Sequence, residues 1–439
     1  MPTRPPSPCS DARAVHDVLV IGAGPGGSAA ATTLAAQGCD VLLVDRAAFP
    51  RPKTCGDGLT PRALNVLTSL GLAETVERLG RPIRTFTVVA PHGQVTGGAI
   101  PDPRGALVVP RLILDDTLRR HALAAGARFE DHVTVQHLER DATDGVIAHA
   151  TRAGRPLRIT ARVAVIATGA ATALLADSGI LRQPPQVMLA ARTYYDGVAQ
   201  AGESFELRFD GVPWPGYGWV FPVSPACVNV GVGFLPVSPL GWRARLSRHR
   251  PRTAHQVFET FVRQPALQRR LIGSHQDGPV RGYPIRVDFL RAPTSADRTL
   301  LVGEAAGLVN PLTGEGIDYA LESGQLAGLH AAALLADPQH AANHLLRYHH
   351  ELHDRFARLF RFCELVRDLV CIPPLLDALV LLANRRPDLR RGLAEVVLGG
   401  RLPTEVDASR LLLKLGAALL RGPATHQAAA SAPIQLRCR

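Results

Sequence analysis

Lysine is almost absent from this chain: of 49 basic residues among 439, only Lys53 and Lys414 are lysines, and the arginines are spread along the whole length. The net charge of +11 is therefore distributed rather than gathered into a patch. With aromatics at 5% and no basic run interleaved with them, nothing marks a nucleic-acid surface. Cysteine is sparse too. Cys9, Cys39, Cys55, Cys227, Cys363, Cys371 and Cys438 form no CxxC and no Cys/His cluster of zinc spacing, which fits a reducing, cytoplasmic setting without a metal. Long apolar runs are missing as well: Leu369 to Ala383 is broken by Pro373, Pro374 and Asp377 and falls short of the roughly 20 residues a spanning helix needs. The opening MPTRPPSPCSDARAVHD has no apolar core of secretory type, so residues 1–16 read as a disordered tail.

What is present is ordinary globular material, 46% hydrophobic and 20% charged. The length exceeds the roughly 100–150 residues of one domain, so two or three units are expected. DVLVI from Asp17 is a continuous apolar run of buried parallel-strand type, and it passes directly into GAGPGGSAAATTLAAQG, rich in small residues and helical in character. A second run, Val41 to Val44, ends in Asp45 and completes a βαβ unit. RLILDDTLRRHALAA from Arg111 reads as a helix, and Phe129 to Val135 and Ala161 to Ala167 as strands. From Val187 to Phe234 short alternating runs such as SFELRF and CVNVGVGF predict antiparallel sheet, hence a second domain inserted in the first. An apolar strand returns at Thr299 to Val302, followed by another Gly-rich turn leading into a helix. Beyond His340 the chain is helical, with Leu352, Phe356, Leu359, Cys363, Val366 and Val370 on one stripe.

The expected division is a tail 1–16; a dinucleotide-binding domain 17–185, with 80–108 contributing to the inserted domain; an antiparallel substrate domain 186–290; a return segment 291–339; a helical region 340–421; and a tail 422–439.

In the first turn Gly22, Gly24 and Gly27 form GxGxxG. The first glycine permits the tight turn, the second lets the backbone approach a pyrophosphate, and the third lets helix and strand pack closely. The helix start adds partial positive charge, and Asp45 would accept from ribose hydroxyls. This unit alone does not separate FAD from NAD. The second Gly-rich turn near residue 303 favours a flavin, since a simple dehydrogenase has no reason to bring a distant strand and turn back into the site.

With VIGAGPGGSAAA, PRPKTCGDGLTPRA, VPRLILDDTL, YGWVFP and VGEAAGLVNPLTGEGIDYALESG in place, the sequence resembles the geranylgeranyl reductase family of flavoproteins over most of residues 17 to 345. CGDGLTPRA, PGYGWVFP with the following NVGVG, and NPLTGEGIDY most resemble the menaquinone reductases within it, which saturate an isoprene unit of a quinone tail. The resemblance implies an α/β, hydroxybenzoate-hydroxylase-like fold: a Rossmann-type FAD-binding domain, an inserted antiparallel substrate sheet and C-terminal helices. It implies FAD held non-covalently by Gly22, Gly24, Pro25, Gly26, Gly27, Asp45, Arg46, Cys55, Gly56, Arg111, Gly303, Glu304, Gly314, Gly316 and Ile317. Glu304 stands where the family usually has the aspartate for the flavin ribityl chain, one methylene longer. Ala167, Thr168 and Gly169 replace the usual Ala-Asp-Gly.

Tyr217, Trp219 and Phe221 alternate on a strand and would form one apolar wall for a prenyl lipid or quinone tail. An isolated alkene is a poor hydride acceptor, so its reduction calls for a proton donor beside the reduced flavin in a dry pocket. Cys55 is the candidate that positions or supplies the proton, with Asp57 and Tyr217 in reserve. Electrons would come from NADPH or a reduced carrier protein. A flavin monooxygenase acting on an aromatic ring is the alternative on the same fold. A halogenase fits less well, with two lysines and YGWVFP in place of WxWxIP. A non-catalytic lipid carrier is weaker still. A prenyl tail lives in the bilayer, so contact with a membrane surface is expected, through the basic charge and the stripe from Leu352, unless that stripe packs on the protein itself.

Overall fold

The computed structural model describes residues 15–141, 145–236, 253–370 and 372–398. Among them the first sheet has eight strands: β1 (Val15–Ile21), β2 (Val41–Val44), β8 (Arg128–Glu130), β9 (Val133–Arg140), β10 (Val146–Arg152), β11 (Arg155–Ile166), β17 (Ser295–Ala296) and β18 (Thr299–Leu301). Its parallel centre runs β18-β11-β1-β2-β8, with β10 and β9 added antiparallel on β11. The central strands are buried on both faces, which is why they read as unbroken apolar runs rather than alternation.

Seven strands form the second sheet: β5 (Thr85–Val89), β6 (Val95–Ala99), β12 (Val187–Asp196), β13 (Ser204–Arg208), β14 (Gly216–Pro222), β15 (Cys227–Phe234) and β16 (His275–Arg286). Their order is β16-β12-β15-β14-β13-β5-β6, antiparallel except where β13 runs parallel to β5. A small third sheet joins β3 (Gly58–Leu59), β7 (Ala106–Val108) and β4 (Arg81–Ile83).

The helices are α1 (Pro25–Ala35), α2 (Pro61–Ser69), α3 (Ala73–Leu79), α4 (Arg111–Ala124), α5 (Ala173–Asp177), α6 (Ala254–Val262), α7 (Pro265–Arg270), α8 (Ile317–Ala336), α9 (Ala341–Leu365), α10 (Pro373–Arg385) and α11 (Pro387–Val397). The crossing of α1 and α8 sets up the site. A Cβ on Gly324 would lie 2.2 Å from the Gly26 carbonyl oxygen, and one on Gly328 would lie 2.7 Å from Thr33. Only glycines allow so close an approach. It brings the N-terminus of α1, which follows the first Gly-rich turn, beside that of α8, which follows the second.

Several boundaries differ from expectation. β1 starts at Val15, so the first strand takes two residues from the expected tail 1–16. The single strand expected over 129–135 is two strands, β8 and β9, because His132 adopts a positive φ of 55° and turns the chain between them. The stripe on α9 faces inward: Leu352 and Phe356 are buried in the core of the first sheet beside Phe360, Leu359 packs against it, and Cys363 is buried too. It is a core face, not a membrane face.

The last two helices lie elsewhere. Val380 of α10, and Ala394 with Leu398 at α11, share a buried cluster with Phe86, Val88 and Phe205 of the second sheet. Asn384 donates to the Val95 carbonyl at 2.8 Å, and Asp377 accepts from the backbone N–H and the ring of His92. No described helix is long and apolar enough to cross a membrane. Expected helical residues 399–421, the tail 422–439, Lys414, Cys9, Cys371 and Cys438 lie outside the described residues.

Candidate active site

Between the two sheets lies a cavity of about 930 Å³, lined at one end by both Gly-rich turns and at the other by apolar side chains. At the first turn Gly22 has φ +104°, and a Cβ there would strike the Ala167 carbonyl oxygen at 2.4 Å. Gly27 faces the same strand-to-helix junction: its Cβ would sit 1.8 Å from the Gly22 oxygen. Gly27 does not line the cavity, and its tight fit against Gly22 shows the packing role of the third glycine. Gly24 is different. A Cβ there would meet no protein atom within 4 Å except an Arg51 nitrogen at 3.6 Å, the tip of a flexible side chain. The packing of the protein itself does not require glycine at 24, and the space over that backbone opens on the cavity.

Pro25, Gly26, Asp45 and Arg46 line the same end. Asp45 is held in place by accepting from the N–H groups of Ala23 and Ala47, each at 2.9 Å, with Arg51 at 3.7 Å.

The second turn enters from β18. Gly303 lines the cavity with φ +54°, and Glu304 beside it uses its extra methylene to span to β16. Its Oε1 accepts from the Arg286 N–H at 3.0 Å and its Oε2 from the Tyr283 hydroxyl at 3.1 Å. The Lys53 ammonium lies 3.9 Å from Glu304 and 3.3 Å from the Tyr283 ring centroid. Burial pulls the Lys53 pKa down to about 8 against the opposing pull of Glu304. Farther along, Gly314, Gly316 and Ile317 line the cavity where α8 begins, so the positive end of a 20-residue helix meets it.

The far end is apolar. Tyr217, Trp219 and Phe221 share one face of β14, with neighbouring ring centroids 6.1 and 6.3 Å apart. Leu376, Leu379, Val380 and Leu393 from α10 and α11 also line the cavity, so these helices roof it. Nothing in the local residue pattern announces that roof. The Tyr217 hydroxyl donates to the Thr313 carbonyl, so its one proton is engaged, and burial raises its pKa. This makes Tyr217 a wall and an anchor for the Thr313–Gly316 loop rather than a free acid.

Cys55 and Gly56 line the cavity where the two ends meet, with Arg111 against Cys55. Arg111 is itself fixed by a two-pronged pairing with Asp115, at 2.6 and 2.8 Å. Asp57 is the clearest correction. It is fully buried and absent from the cavity wall. One carboxylate oxygen accepts from Tyr194 OH at 2.6 Å and Asn229 Nδ2 at 2.8 Å, the other from the Arg111 N–H at 3.3 Å. Its φ of +64° turns the side chain away from the lumen side occupied by its neighbours Cys55 and Gly56. Burial raises its pKa, and Tyr194, Arg192 and Asn229 oppose that. Asp57 therefore holds the loop and does not face the lumen. Asn229, which also donates to the Cys55 carbonyl and accepts from Trp219 Nε1, was not foreseen, nor were Tyr194, Tyr283 and Glu315.

The family profile described as "FAD binding domain" matches residues 15–363. A menaquinone reductase of Mycolicibacterium smegmatis is 32% identical over 89% of this chain and 93% of its own length. A digeranylgeranylglycerophospholipid reductase of Methanopyrus kandleri is 31% identical over 82% and 91%. The chain belongs to the geranylgeranyl reductase family of FAD flavoproteins. In fold it is similar to a geranylgeranyl bacteriochlorophyll reductase-like protein of Thermoplasma acidophilum, with a TM-score of 0.76, 20% identity and coverage of 91% and 99%. It is thus an FAD-dependent oxidoreductase of the class acting on prenyl chains.

The residues present fit FAD: Gly24 leaves a space that protein atoms do not use, Asp45 stands at the end of β2, and a second helix N-terminus faces the same lumen. Gly24→Val is expected to yield protein that folds with the thermal midpoint of the parent apoprotein but carries no flavin absorbance. A drop in apoprotein stability would instead show that the glycine serves packing. Asp57→Ala is expected to strand the Tyr194 and Asn229 donors, at about 1–3 kcal/mol each. Chemical denaturation measures that loss, and an unchanged midpoint would refute the clamp.

Proposed function

We propose that this flavoprotein saturates a carbon–carbon double bond in the prenyl tail of a quinone of the menaquinone type. The observation that carries this reading is the continuity of the cavity, which runs from the two Gly-rich turns into an apolar chamber between Tyr217, Trp219 and Phe221 and the α10–α11 roof. The overall similarity to menaquinone reductases supports the quinone as the head of that lipid.

Bound FAD, once reduced, supplies the electron pair for the reaction. The first turn, Asp45 and Arg46 would hold its pyrophosphate and ribose, and Glu304 with Gly303, Gly314, Gly316 and Ile317 the rest. The aromatic wall and the roof exclude water, which protects a carbon that becomes cationic when its neighbour takes up a proton. Cys55, held against Arg111, positions the double bond. NADPH or a reduced carrier protein recharges the flavin.

The lipid is taken from a membrane surface. Leu365 and Leu381, 46% and 48% exposed at the end of α9 and on the roof, offer apolar contacts with the exposed Arg361, Arg385 and Arg386 near them in sequence.

Mass spectrometry of isoprenoid quinones from cells with and without the protein tests the reading. A saturated isoprene unit should appear only with the protein and form without oxygen. Oxygen-dependent addition of a hydroxyl group would favour a monooxygenase, and tight lipid binding without turnover a carrier. Cys55→Ala should keep the flavin spectrum and lose most saturation; full activity would return Cys55 to a packing role. Sedimentation with vesicles should show binding that needs anionic lipid and fades with salt. No binding to any vesicle would mean that another carrier delivers the lipid.

A further inference from the structure

Glu315 stands between two glycines at the mouth of α8, and neither the βαβ unit nor the aromatic wall accounts for it. Its loop is rigid. The Asn310 side-chain oxygen accepts from the N–H groups of Leu312 and Thr313, the Asn310 N–H donates to the Glu315 carbonyl at 2.8 Å, and Tyr217 anchors Thr313. The Glu315 backbone is therefore held at the cavity wall, and its side-chain Oε2 is enclosed without a hydrogen-bond partner. Asp318, in the first turn of α8, also lines the cavity, is 2% exposed, and has no hydrogen bond to either oxygen. Arg62 serves Asp318 at 3.6 Å and Glu322 at 2.6 Å, so the available cation is spent on those two carboxylates.

Resting on the functional reading above, we propose that Glu315 is the acid of this site, the group that hands a proton to one carbon of the prenyl double bond. In that step the π pair of the alkene forms a C–H bond as the Glu315 O–H bond breaks. The neighbouring carbon receives hydride from reduced flavin. The alkene gains two electrons, the flavin is oxidised, and the Glu315 carboxylate takes its next proton from water.

The surroundings keep Glu315 neutral beforehand. Burial is the largest influence and raises its pKa well above the usual range, the charge of Asp318 raises it further, and Arg62 opposes both. The other titratable groups facing it are Tyr217, Tyr319 and Cys363, all pushed up by burial and so uncharged at neutral pH. The rival acids are less well placed: Asp57 is behind the wall and the Tyr217 proton is engaged.

The test uses the FAD-bound protein and its Glu315→Gln and Glu315→Asp variants. Infrared difference spectra of the oxidised protein at pH 7, without turnover, should show the carbonyl stretch of a protonated carboxyl group that Glu315→Gln removes. Single-turnover saturation of an unsaturated menaquinone tail, read anaerobically by mass spectrometry, should slow by about 100-fold or more in Glu315→Gln. Glu315→Asp should recover part of the rate. Wild-type activity should fall as pH rises through the raised Glu315 pKa, and that alkaline limb should vanish in the Gln variant. Absence of the carboxyl band, or a Gln variant that saturates the tail at the parent's rate, overturns the proposal while leaving the functional reading intact. Wild-type protein that never saturates the tail overturns the functional reading, and this proposal with it.

Discussion

The buried carboxylate of Asp57 is the constraint on which the site depends. The Cys55–Gly58 segment lies against the second sheet and the start of α4 and must be held to both. Asp57 meets that need by taking hydrogen bonds from β12 through Tyr194, from β15 through Asn229 and from the start of α4 through the Arg111 backbone. Asn229 spreads the same link to Trp219 and to the Cys55 carbonyl. A carboxylate shut away from water is costly unless such donors surround it. Once they do, the arrangement tolerates few alternatives, which fixes Cys55 and Gly56 relative to the aromatic wall. Gly56 shows how tight the fit is, since a Cβ there would come within 3.2 Å of Phe221.

Much of this was legible in the sequence where the signal is local. A strand running into GxGxxG, an acidic residue after the next strand, and a second Gly-rich turn before a long helix each follow from backbone geometry over a few residues. Their cavity positions at Gly22, Gly24, Asp45, Gly303 and Gly316 agree with that logic. What the sequence hides is pairing at long range. Asp57 meets Asn229 across 172 positions and Tyr194 across 137, and nothing near Asp57 announces either partner. The CGDG motif marks the neighbourhood of the site, yet a positive φ at Asp57 separates its carboxylate from the lumen that Cys55 lines. The roof was missed for a related reason. Periodicity identifies an apolar face on α9, α10 and α11 but not the surface that covers each of them.

Glu304 illustrates how a departure from a family pattern can be compensated in space. Its longer side chain would misplace a carboxylate if the surroundings were unchanged. Here the added reach ends at the Arg286 N–H and the Tyr283 hydroxyl, so β16 and the second turn are tied together by the residue that also faces the lumen. Lys53 sits on the other side of the same tyrosine, and burial weakens its hold on a proton.

Charged groups around the lumen stand beside groups of opposite sign. Arg111 and Arg51 both hold Asp115, Lys53 faces Glu304, and Arg62 is shared by Asp318 and Glu322. Such pairing matters in a cavity meant for hydrocarbon, because an uncompensated charge would draw in water and defeat the exclusion that a cationic carbon requires. Glu315 is the member of this set whose carboxyl group has neither a cation of its own nor a hydrogen bond on Oε2. In so dry a place a carboxyl group without a counter-charge avoids ionisation by keeping its proton. The surroundings that make the chamber fit for an apolar tail therefore also leave a transferable proton at its wall.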